Sequence, residues 1–188
     1  MSKIEEKTGL KTSHAIVLLI ILALNVCWLI AETIFVVQHP SILSFVIVTY
    51  IQFAVAVYYA VCGYKKPHGN LMRYLLLFYA LTLGVMLVMR AETQGPLYNS
   101  TYIAIILLST YMAGRLNKYT QNIVICLIIL VLKFVDVYPM ISPLIQYSGF
   151  SFVNFFGSIG PITVWLAIAA GYIIRFRLHK DAGLADEN

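Results

Sequence analysis

Apolar positions in this chain run on for about 20 residues at a time, and short polar stretches separate the runs. A helix that crosses hydrocarbon about 30 Å thick needs roughly 20 predominantly apolar residues, so each run has the length of a membrane span. The first extends from about Ser13 to Val37 and ends at the turn Gln38-His39-Pro40-Ser41. It is longer than the roughly 7 to 15 residues of a signal-peptide core, and no small-residue cleavage site follows it, so an uncleaved helix is expected. A second run, about Ile42 to Gly63, ends at Tyr64-Lys65-Lys66-Pro67-His68-Gly69-Asn70. The third covers about Leu71 to Met89 and the fourth about Leu97 to Gly114, with Arg90 to Pro96 between them. Arg115-Leu116-Asn117-Lys118 leads into a fifth, about Tyr119 to Tyr138.

The sixth is interrupted, because Pro143, Gly149, Gly157, Gly160 and Pro161 punctuate the stretch between Tyr138 and Phe176. Its uninterrupted part, Pro161 to Phe176, would span only about 24 Å at 1.5 Å per residue. It therefore continues upstream through a kink at Pro161, or a re-entrant segment or an outer loop precedes it. Broken backbone at membrane depth needs protein or water to satisfy it, which makes Phe150 to Pro161 a candidate cavity wall. The expectation is an all-α polytopic membrane bundle of about six transmembrane helices. Residues 1–12 form an N-terminal segment, 13–176 the bundle and 177–188 a tail.

Lys and Arg divide unequally between the two ends of these helices. Lys3, Lys7, Lys11, Lys65, Lys66, Arg73, Arg115, Lys118, Arg175, Arg177 and Lys180 fall on one side, against Arg90 and Lys133 on the other. Cytoplasmic loops retain positive charge, so the eleven predict cytoplasmic N and C termini. Composition agrees with a membrane chain: of 188 residues, 61% are hydrophobic and 11% charged, outside the range of water-soluble domains. The net charge of +5 then signals topology and affinity for anionic lipid headgroups. The sequence shows no clustered basic face to read phosphates, so no nucleic-acid partner is expected, and compactness points to a bacterial plasma membrane.

Little in the chain suggests enzyme chemistry. Cys27, Cys62 and Cys126 lie on three different helices without metal-ligand spacing and suit packing. His14, His39, His68 and His179 sit near membrane boundaries, where an amphipathic ring is expected. There is no H-E-x-x-H, no G-x-S-x-G and no phosphate-binding glycine loop, so neither a metal nor a cofactor is implied.

Charges at membrane depth are costly and usually face a bundle interior or a cavity. Five charges qualify: Glu32 on the first helix, Arg90 and Glu92 at the outer end of the third, and Lys133 and Asp136 in the outer third of the fifth. Lys133 and Asp136 are three apart and share a helical face. Gln52 lies deeper on the second helix, and Asn154 stands in the interrupted segment. Together Glu32, Gln52, Arg90, Glu92, Lys133 and Asp136 outline an outward-facing polar pocket, in which three carboxylates against two cations favour a small cationic or zwitterionic ligand. The opposing explanation is that these groups are snorkelling charges and salt bridges at helix ends.

Tyr50, Tyr64, Tyr74, Tyr98, Tyr102, Tyr119, Tyr138 and Tyr172 suit an aromatic belt at the interfaces. Tyr58, Tyr59 and Tyr79 fall deeper, where the hydroxyl needs a partner, and Trp28 and Trp165 suit packing. Ala15, Ala23, Ala31, Ala56, Ala60, Ala167 and Gly171 let helices approach closely, within the chain or against a partner subunit. Ala31-Glu32-Thr33 recurs as Ala91-Glu92-Thr93, and Gly63, Gly114 and Gly171 stand at the cytoplasmic ends of even-numbered helices, a pattern that three related hairpins or chance would produce. In architecture alone, six helices with inward termini resemble the substrate-binding subunits of energy-coupling-factor vitamin transporters. The alanine pair four residues apart that docks their partner is absent, because Ala15 and Ala23 are eight apart. Three functions fit: a small-solute transport or solute-binding component, a sensor or interaction protein acting through a cytoplasmic partner, and an intramembrane enzyme using Asp136 or Glu32 as general acid or base. The last lacks a convincing nucleophile.

Overall fold

A computed structural model describes residues 12–38, 43–62, 69–90, 95–146 and 151–181, and among them the chain is helical apart from short connections. The six helices are α1 (Thr12–Gln38), α2 (Leu43–Cys62), α3 (Gly69–Arg90), α4 (Pro96–Gly114), α5 (Tyr119–Gln146) and α6 (Phe152–Asp181). Without water, every backbone N–H and C=O must be satisfied within its own segment, which makes a long apolar run helical. The first four helices begin and end within about two residues of the runs that predict them. Pro96 opens α4 at a position where a missing N–H costs nothing. The buried Asn122 side chain donates to the Arg115 carbonyl at 2.9 Å and ties the α4–α5 turn to the first turn of α5.

The fifth helix departs from expectation, and the sixth takes one of its expected courses. α5 does not end at Tyr138 but continues across Pro139 and Pro143 to Gln146. The Phe152 to Pro161 stretch is neither loop nor re-entrant, because α6 runs unbroken from Phe152 with Pro161 inside it. A proline in a helix interior removes the bond to the carbonyl four residues back, here that of Gly157. Neighbouring groups support the helix around it: Thr163 Oγ1 donates to the Gly160 carbonyl at 2.7 Å, and Asn25 Nδ2 of α1 donates to the Thr163 carbonyl at 3.1 Å. Packing along its whole length carries α6 through the proline.

Cross-helix contacts define the topology. His14 meets Arg177, Asn25 meets Thr163, Trp28 meets Gly160 and Glu32 meets Gly157, so residue number falls on α6 as it rises on α1. The two helices are antiparallel. Tyr111 with Gln121 and Tyr102 with Lys133 show the same for α4 and α5. α6 is the inner member: it packs on α1, α2 and α5, and Trp165 Nε1 donates to the Tyr79 hydroxyl of α3 at 2.8 Å. Two glycines make its close approaches. A Cβ on Gly160 would enter the Trp28 indole, and one on Gly171 would collide with the Tyr59 carbonyl. Gly171 is therefore a contact point inside α6 and not the end of a helix, whereas Gly114 does close α4.

Polarity is sorted opposite to that of a water-soluble protein. Large apolar side chains such as Ile16, Leu19, Val88, Leu107, Val131 and Phe134 face outward, while Asn25, Gln52, Asn122, Lys133 and Thr163 are buried. Four helical stretches, Thr12–Gln38, Gly69–Met89, Tyr119–Pro139 and Phe152–Leu178, are long and apolar enough to cross a membrane. The chain is a membrane helix bundle. α4 is not among these, yet its serine and threonine hydroxyls are internally satisfied: Ser100, Thr101, Ser109 and Thr110 donate to the carbonyls four residues before them at 2.7 to 2.9 Å.

The small residues Ala31, Ala56, Ala60 and Ala167 are buried within the chain, whereas Ala23 is exposed. The tyrosines split: Tyr50, Tyr74 and Tyr138 are exposed as a belt requires, but Tyr98, Tyr102 and Tyr172 belong to the core. Helical periodicity points those three inward despite their positions near helix ends. Tyr59 and Tyr79 are fully buried and partnered, Tyr59 through its hydroxyl to the Met72 carbonyl at 3.2 Å. Trp165→Phe strands the Tyr79 hydroxyl. Its expected loss is about 1–2 kcal/mol, with a coupling energy of about 0.6–1.7 kcal/mol between Trp165→Phe and Tyr79→Phe in a double-mutant cycle read by unfolding in mixed micelles.

Candidate functional site: a buried lysine in the bundle

The inner face of α5 is a stripe of Asn122, Ile125, Cys126, Ile129, Lys133 and Val137, all buried, opposite an outer face of Val124, Leu127, Ile128, Val131 and Phe134. The stripe recurs every three or four residues, so helical geometry points Lys133 at the bundle interior. Its side chain is 1% exposed and that of Asp136 9%, and Nζ lies 3.6 Å from Asp136 Oδ2. On its other side Nζ stands over the Tyr102 ring of α4, 3.9 Å from the centroid. Tyr98, one turn earlier on α4, stacks on Tyr102 at 4.2 Å. The ammonium thus lies between a carboxylate and an aromatic face.

Both contacts stabilise the cation. Neither is a hydrogen bond. Among the described residues Lys133 Nζ has no hydrogen-bond partner, although an ammonium carries three donors. Lys133 is the fifteenth of 28 residues in α5 and lies in the last third of the apolar stretch Tyr119–Pro139. Tyr102, level with it, is about 9 Å inside the start of α4 at 1.5 Å per residue.

The other expected site residues that the structure describes lie on α1, α2 and α6. Glu32 is in the α1–α6 seam, where Trp28 Nε1 donates to its Oε1 at 3.3 Å and Gly157 faces the same oxygen. Thr33, beside it, lies 3.4 Å from the Tyr50 hydroxyl of α2, and Gln52 of α2 is buried. Counted from the nearest helix end, Glu32 is about 9 Å deep and Gln52 about 13 Å. Lys133 and Asp136 come together in the α4–α5 seam, and Glu32 lies in the α1–α6 seam. The Arg90 and Cys62 side chains, Glu92 and the second Ala-Glu-Thr lie outside the described residues. Asn154 is exposed on the first turns of α6. Among the described residues no group of three His, Cys, Asp or Glu is placed to hold a metal.

Comparisons with protein-family models, with curated proteins and with solved structures found no match to this chain. What the site can do therefore follows from its own chemistry.

Three buried polar residues of the bundle escape a linear reading. Tyr98 and Tyr102 look like belt residues, although their spacing of four, shared with Thr101, Ile105 and Ser109 on the buried face, carries the signal. Asn25 is the one amide inside the first apolar run, and it bonds across to α6. Its position marks it as costly, but nothing in the sequence names its partner.

Proposed function

We propose that this protein is a small-solute binding or transport component whose ligand is recognised at Lys133 and Asp136. The observation that carries this is the buried Lys133 ammonium, midway along α5, with a carboxylate at 3.6 Å and no hydrogen-bond partner among the described residues. Ionisable groups inside a membrane bundle mark substrate paths by default, because a purely structural role is better served by an apolar side chain. A cation and an anion side by side, walled by Tyr98 and Tyr102, complement a zwitterion. The ligand carboxylate accepts from Lys133, and its ammonium or quaternary nitrogen lies against Asp136 and an aromatic face. Glu32 and Gln52 stand about 9 Å and 13 Å inside the ends of α1 and α2, and Arg90 and Glu92 stand in sequence at the end through which a solute enters. With the termini in the cytoplasm, as the Lys and Arg distribution favours, that entrance faces outward.

The test is a thermal-shift screen of the purified chain in nanodiscs against amino acids, betaines and simple cations. A zwitterion should raise the unfolding temperature of the wild type and leave Lys133→Met and Asp136→Asn unmoved. A screen in which no solute acts, or in which both variants respond like wild type, rejects the site.

A further inference from the structure

Folding gathers cations that the sequence spreads over two connections. The Arg73 guanidinium of α3 reaches the last turn of α4, where Nε donates to the Ala113 carbonyl at 3.2 Å. Arg115 and Lys118 occupy the four-residue turn that follows, and Arg115 lies over the Tyr111 ring, 4.8 Å from its centroid. Between Glu92 and Asp136 the sequence holds no carboxylate, so this corner of the bundle is positive without compensation from its own hairpin.

Beside these cations an open groove of about 600 Å³ runs along the outer face of the α4–α5 seam, lined by Leu108, Tyr111, Thr120, Gln121, Val124 and Ile125. Its polarity is ordered by depth. Tyr111, Thr120 and Gln121 are within one turn of the helix ends, and Gln121 Nε2 donates to the Tyr111 hydroxyl at 3.1 Å. Leu108, Val124 and Ile125 lie deeper, about 8–9 Å from the same helix ends at 1.5 Å per residue. Cations, then hydroxyl and amide, then hydrocarbon is the order of a phospholipid read from headgroup to acyl chain.

We infer that this groove is a binding site for one anionic phospholipid. The phosphate sits at Arg115 and Lys118 with Arg73 behind them, the Tyr111–Gln121 pair meets the glycerol ester region, and an acyl chain lies on Leu108, Val124 and Ile125. Basic pockets between helices at a membrane interface recognise lipid headgroups by this chemistry. The site is separate from the interior lysine: Ile125, its most buried lining residue, lies about 12 Å along α5 from Lys133 at 1.5 Å per residue.

Native mass spectrometry of the purified full chain, offered equal amounts of dioleoyl phosphatidylglycerol and dioleoyl phosphatidylcholine, tests it. The phosphatidylglycerol adduct should dominate. Arg115→Ala and Lys118→Ala should each lower the ratio of the two adducts about fivefold, as expected for one cation near a charged headgroup. Arg177→Ala, an exposed cation beside His14 and away from the groove, should leave the ratio unchanged. Val124→Trp should reduce both adducts by filling the groove, and excess inorganic phosphate should not displace the lipid. Equal retention of the two lipids, an equal response to Arg177→Ala, or a dimer that Val124→Trp dissociates would overturn the proposal.

Discussion

Asp136→Asn should destabilise the bundle by about 3–5 kcal/mol, the loss expected when a buried ion pair is broken from one side. The mutation leaves the Lys133 ammonium, whose side chain is 1% exposed, with the Tyr102 ring as its remaining described contact. A cation–π contact returns at most about 2 kcal/mol when desolvated, so it cannot compensate. Lys133→Met should cost less. It removes the more deeply buried charge while keeping an unbranched side chain, and Asp136, at 9% exposure, is nearer the surface. The double variant Lys133→Met/Asp136→Leu should be at least as stable as wild type, because a well-packed apolar pair often matches or exceeds a buried ion pair. Equilibrium unfolding in mixed micelles gives the order. If Asp136→Asn were as stable as wild type, Lys133 would be reaching water, contrary to its burial. A stable double variant that has lost all ligand response would mean that the charges serve recognition and not the fold.

The second large effect is steric. Gly171→Ala should cost about 3 kcal/mol, the upper part of the range for overpacking, because its Cβ would strike the Tyr59 backbone carbonyl and only separation of α2 from α6 relieves it. Gly160→Ala should cost somewhat less, since what it meets is the Trp28 side chain. That indole is itself buried and bonded to Glu32, so its rotation carries a price of its own. Trp28→Leu should soften the Gly160→Ala defect, giving a double variant more stable than the sum of its parts predicts. Gly84→Ala is the internal control: its Cβ meets nothing within 4 Å, and removing a helical glycine should stabilise by about 0.5–1 kcal/mol. Thermal unfolding of the four single variants reads the ranking directly. Gly171→Ala behaving like Gly84→Ala would refute the close α2–α6 approach.

Some of this was legible along the chain. Six apolar runs of membrane length, separated by polar connections, become six helices because a backbone in hydrocarbon has few other ways to satisfy its hydrogen bonds. The pairing of Lys133 with Asp136 follows from their spacing of three. Proline and glycine misled because their penalties are local averages. At Pro161, where a continuous helix is one of the expected courses, packing against α1 outweighs a lost backbone bond. At Gly160 and Gly171 the missing side chain is a seat for another helix and not a stop.

The sequence by itself determined the solvent of this protein, the number of its helices and the residues whose charge must be explained. The tertiary structure alone decided which neighbour each of those residues meets. Tyr102 beneath Lys133, Thr163 against Asn25, Trp28 against Gly160 and Arg73 at the end of α4 join residues 31 to 138 positions apart, dictated by how the helices are arranged around α6. Periodicity within one helix reports which face turns inward, and it contains no term for what stands opposite.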